Sequence, residues 1–93
     1  MSEKRPGFDK KAAQLLAADA LTFLAARPQA LARFLALTGI GPRTLRAAAS
    51  DPAFLAGVLD HFLDNEDLLF AYAGAADIAP GRVAAARRAL AQA

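Results

Sequence analysis

Apolar residues recur along this chain at intervals of three and four, and prolines, glycines and capping residues cut the recurrence into segments. The spacing predicts a first helix over 8–26, with Ala12, Leu16, Ala20, Phe23 and Leu24 on its inward face. Pro28 suits the first turn of a second helix, which ends at Gly39 and carries Leu31, Phe34, Leu35 and Leu37 as its apolar face. Pro42, behind Gly41, opens a third. Ser50-Asp51-Pro52 joins a cap to a first-turn proline and starts a fourth, with Phe54, Leu55, Val58, Leu59 and Phe62 inward. Asn65 followed by Glu66 and Asp67 starts a fifth, because carboxylates favour the positive end of a helix; it carries Leu68, Leu69, Tyr72 and Ala75. Pro80 opens a sixth that runs to 91, with Val83, Ala86 and Leu90 inward. The expected fold class is all-α: a compact bundle of six short helices, one domain over 9–93 behind a flexible basic leader at 1–8.

Sliding the chain by 38 residues lays 21–49 over 59–87 without a gap. Leu21/Leu59, Leu31/Leu69, Ile40/Ile78, Pro42/Pro80, Ala47/Ala85 and Ala48/Ala86 are identical, and Phe34/Tyr72 and Leu45/Val83 are close. Helix ends, the Ile-x-Pro turns and the aromatic positions coincide, which suggests two similar three-helix halves related by a pseudo-twofold.

Composition narrows the picture. Alanine occurs 26 times, whereas valine and isoleucine together number only four, so strands are disfavoured. The absence of cysteine removes disulfides, thiolate zinc sites and cysteine nucleophiles together. The sequence pI of 9.5 hints at nucleic acid, but Lys4, Arg5, Lys10 and Lys11 lie in the first eleven residues, and the seven arginines that follow are matched by seven acids. "KKAAQLLAADALTFLAA" has the outline of a secretory signal. Gln14 and Asp19 interrupt its apolar run, and Glu3 and Asp9 sit in what should be a positive region, so an amphipathic helix is expected instead. No apolar run approaches the ~20 residues of a membrane span. The expectation is a cytoplasmic protein without a membrane partner.

"TGIGPRTL" resembles the hairpin of helix-hairpin-helix nucleic-acid-binding modules. Two glycines let the backbone turn sharply toward a phosphate, and the next helix offers free N–H groups. Gly39, Gly41, Arg43, Arg46 and Arg82 are the candidate contacts of that reading, with the arginines clamping backbone phosphates. Three departures weigh against it: Leu45 where a small residue is usual, Pro42 lacking an amide donor, and the second turn "DIAPG", which puts Asp77 where a phosphate would be repelled. Gly39 as a helix C-cap, with Ile40 plugging the core, explains the same residues as a joint.

The stretch "DHFLDNED" surrounds the single histidine, and His61 and Asp64 share a helix face, as a general-base pair or metal ligands would. One histidine with scattered carboxylates lacks ligand convergence, and a solvated helix face is the expected role. Ser2, Thr22, Thr38, Thr44 and Ser50 are few and sit mostly at helix edges, with no activating pattern. No catalytic residue, metal or cofactor is expected, and the protein is not expected to be an enzyme.

The acids at 60–67 and the arginines at 43–46 and 82–88 either pair within the molecule between adjacent helices or form opposite patches, a layout suited to docking. Asp60, Asp64, Asp67, Arg82, Arg87 and Arg88 are the candidate partner-binding residues. The segments "ALTFLAARPQALARFLALTGIGPRTLR" (20–46), "DPAFLAGVLDHFLDNEDLLFAYA" (51–73) and "P-x-x-V-x-x-A-R-x-A-L" (80–90) resemble a family of small, mainly alphaproteobacterial helical proteins, domain of unknown function 3572. That resemblance implies no activity and no site residues. The expected function is a non-enzymatic adaptor or regulator acting on a protein partner. The alternative is a degenerate double helix-hairpin-helix module on nucleic-acid backbone. The apolar content also suits a homodimer.

Overall fold

The computed structural model describes residues 9–91 and contains six helices: α1 (Lys10–Ala25), α2 (Pro28–Thr38), α3 (Pro42–Ala48), α4 (Pro52–Leu63), α5 (Glu66–Ala76) and α6 (Gly81–Ala91). The all-α bundle read from the sequence is the observed architecture; the leader at 1–8 lies outside the described residues. Local chemistry explains most of the boundaries. The Asp9 carboxylate accepts the Ala12 N–H at 2.7 Å and the Asp51 carboxylate accepts that of Ala53 at 3.1 Å, so α1 and α4 start at side-chain caps. α2, α3 and α4 each begin on a proline in the first turn, where no amide is lost from the helix ladder.

The core is a triangle of α1, α4 and α6, with α2 laid on α1 and α5 on α4. α1 contributes Ala13, Ala17, Ala20, Leu21 and Leu24; α4 contributes Leu55, Val58, Leu59 and Phe62; α6 contributes Val83, Ala86 and Leu90. The inward faces expected for α4 and α6 are those observed, apart from Phe54, which is half-buried. Three faces differ from expectation. On α1 the buried stripe is turned by about one residue, leaving Ala12, Leu16 and Phe23 half-buried. Leu37 is 70% exposed at the end of α2, and on α5 the buried alanine is Ala73 while Ala75 faces outward. In an alanine- and leucine-rich helix, two neighbouring faces are almost equally apolar, and the packing partners choose between them.

The repeat survives in local structure and breaks in packing. Gly39 (φ 74°) and Asp77 (φ 59°), 38 residues apart, both end their helices in the left-handed conformation. The pairing of α1 with α2 parallels that of α4 with α5. Yet α6 fills the core between α1 and α4, whereas its counterpart α3 touches the other helices lightly and buries no residue completely. The molecule is an elongated 45 × 27 × 18 Å body.

Chemical denaturation checks this division. Phe62→Ala, at a fully buried position, is expected to cost about 3–5 kcal/mol. Ala17→Leu, which forces bulk between closely packed helices, should cost about 1–3 kcal/mol. Leu37→Ala should stay within about 0.5 kcal/mol of the parent.

Candidate functional site

An open groove of ≈ 760 Å³ runs between the start of α2 and the start of α5. Its walls stand in register under the same 38-residue shift that relates the halves. Arg27, Gln29, Ala30 and Arg33 line one side, and Asn65, Asp67, Leu68 and Ala71 line the other. His61 from α4 closes it, and Ala26 and Pro28 complete the rim. The two walls therefore use equivalent positions for different chemistry: two guanidinium groups on the α2 side, an apolar pair and one carboxylate on the α5 side.

Three of the polar groups here, Arg27, His61 and Asn65, are held by their neighbours. The Arg27 guanidinium lies 4.3 Å from the centre of the Phe23 ring, a cation–π contact that fixes the head at the groove edge. The His61 ring meets Phe34 edge-on at 5.1 Å. Burial is the main cause of a lowered His61 pKa; Asp64 opposes that shift and Arg33 adds to it. Asn65 does not cap α5 with its side chain; its Nδ2 donates to the His61 carbonyl at 2.9 Å, tying the end of α4 to the start of α5. Across the molecule, the Tyr72 hydroxyl donates to the Asp19 carboxylate at 2.8 Å, and burial with that bond raises the tyrosine pKa.

Of the partner-binding residues expected from sequence, only Asp67 lines this groove. Asp60 and Arg87 meet each other at 2.7 Å, joining α4 to α6. With side chains half and one-third exposed, that pair contributes about 1 kcal/mol or less. Asp64 is the C-cap of α4, and Arg82 and Arg88 are exposed on α6. The six thus do not gather into one site. Arg27, Arg33 and Asn65 were not among the expected residues; the 38-residue register pairs Arg27 with Asn65 and Arg33 with Ala71 but does not single them out from the other positions it aligns.

The Gly39–Pro42 turn has a joint's C-cap geometry, but Ile40 is half-buried and does not plug the core as expected. The Gly39 N–H donates to the Leu35 carbonyl at 2.8 Å and the Ile40 N–H to Thr38 Oγ1 at 3.4 Å, so two amides of the would-be phosphate nest are occupied. Pro42, Arg43, Arg46 and Ala47 line a shallow depression of ≈ 420 Å³ beside it. Among the described residues no three metal-ligating side chains converge, and no helix is long and apolar enough to cross a membrane.

The electrostatics of the groove can be read from His61 by NMR titration. Its midpoint should fall below 6.5, move up in Arg33→Gln and move further down in Asp64→Asn. Because the folded pKa is the lower one, His61 should weaken folding as pH drops below its unfolded value. An unshifted midpoint, or one indifferent to both changes, would place the ring in solvent.

No curated protein and no solved structure matches the chain. The family described as protein of unknown function (DUF3572) matches it over residues 10–93, which takes in all six helices. The chain belongs to that family.

Proposed function

We propose that this protein is a non-enzymatic interaction module, a small adaptor or regulator, that seats a segment of a protein partner in the groove between α2 and α5. The observation that carries the reading is the convergence of equivalent positions from both halves, 27/65, 29/67, 30/68 and 33/71, on one open cleft. Such a cleft offers an apolar floor at Ala30, Leu68 and Ala71 with a polar rim, the anatomy of a protein interface. The single histidine there is half-buried against an aromatic ring, and Tyr72 already donates its proton to Asp19, so neither is arranged as a nucleophile and base.

Photo-crosslinking in the native cells tests it. A photoreactive residue at Gln29 or Asp67 should give a discrete protein adduct that the same residue at Lys11 does not give. Identical adducts from all three positions, or none from the groove, would sink the reading.

A second reading, contact with nucleic-acid backbone, draws on the depression flanked by Arg43 and Arg46. It requires salt-sensitive binding of labelled duplex DNA by residues 12–93 that Arg43→Ala/Arg46→Ala abolishes. Retention of binding in that variant would dismiss the turn as the contact.

A further inference from the structure

We propose that the segment the groove receives is an acidic one: a peptide with two carboxylates on one edge and an apolar side chain between or beside them. This rests on the docking reading above and names the chemistry of its partner. Arg27, Ala30 and Arg33 are spaced three apart at the start of α2, so two guanidinium heads flank a small residue along one ridge. From the N-cap Arg27 to Arg33 the helical rise sets the two backbone positions roughly 9 Å apart along the axis. That span is near that of carboxylates two residues apart on one edge of an extended peptide, at about 3.4 Å per residue. It also fits carboxylates about two turns apart in a helix.

Neither arginine has a carboxylate within ion-pair distance among the described residues. The Phe23 ring holds the Arg27 head in place without neutralising it. Arginine's planar fork suits bidentate pairing with carboxylates. The opposite wall supplies the apolar counterpart, with Leu68 half-buried beside Ala71, so a Leu- or Phe-sized side chain has a surface to cover. Three other titratable groups bear on the site. Asp67, on the α5 wall, repels an acidic ligand, and Asp64 acts on His61 from the end of α4. Burial favours the neutral form of His61. Asp67 lies in the first turn of α5, next to Glu66, where the helix's free amides favour a carboxylate. The chain's own residues 1–8 carry Lys4 and Arg5 against Glu3 and have the wrong sign to serve as the occupant.

The test is selection of phage-displayed random 12-residue peptides on the full chain. Synthetic copies of the winners are then measured by fluorescence anisotropy and by 1H–15N NMR. The expected winners pair Asp or Glu with Leu or Phe and shift the amides of Ala30, His61, Leu68 and Ala71. Their affinity should fall at least tenfold in Arg27→Glu and in Arg33→Glu, rise a few-fold in Asp67→Asn, and stay unchanged in Lys11→Glu. All four substitutions are at exposed positions, and circular dichroism confirms that each variant keeps its helices before binding is read. Winners that shift the groove amides but are neutral or basic, or that ignore both arginine reversals, would overturn the acidic chemistry while leaving docking intact. Failure of every peptide to shift the groove amides would overturn both.

Discussion

The close approach that three alanines allow is the constraint on which the rest of this small structure depends. Ala13, Ala17 and Ala20 have no exposed surface, and they lie on the face of α1 that meets α4 and α6. A side chain of one carbon costs almost no rotamer entropy on burial and lets helix backbones come near enough for Val58, Leu59, Phe62 and Val83 to close the space behind. Each buried branched or aromatic side chain there is worth about 1.5–3 kcal/mol relative to exposure. A chain of this length has few such residues to bury. Packing density around the alanine stripe therefore decides whether the three central helices hold together.

The outer helices hang on that triangle through aromatic contacts. Phe23, Phe62 and Tyr72 meet at 5.4–6.4 Å between ring centres and fasten α5 to α1 and α4, with the Tyr72–Asp19 bond reinforcing the same seam. Phe34 does the corresponding work for α2, resting against Phe54 and His61 of α4. Phe34 and Tyr72 are equivalent residues in the two halves, so one aromatic anchor per half sets the position of its helix. The groove is the space left between those two anchored helices, which is why its walls match position for position. α3 lacks such an anchor; its apolar Leu45 is only half-buried.

Most of the element boundaries were legible because capping and proline chemistry act within a few residues. Asp51 and Gly39 cap, and Pro28, Pro42 and Pro52 start, the helices they were expected to, whereas Asp9, which lay inside the expected first helix, is the cap of α1. Asn65 begins α5 as expected, but its side chain turns back to the His61 carbonyl, an interaction across the joint that no capping rule contains. The candidate site was far less legible. Asp60 and Arg87 fitted intramolecular pairing and opposite docking patches equally well, and helix packing brings them together across 27 residues of sequence. Arg27 and Arg33 had no expected role until the fold set Leu68 and Asp67 opposite them.

The sequence by itself determined that the chain is helical and where most of its helices start and stop, and it suggested a correspondence between its two halves. Those properties follow from backbone propensity, caps and periodicity, which are local. Only the tertiary structure decided which of two similar apolar faces of α1 is buried, that α6 enters the core while its counterpart α3 stays outside, and which charges pair with each other. Those outcomes depend on how volumes fit and on distances between residues remote in the chain, and helical periodicity carries information about neither.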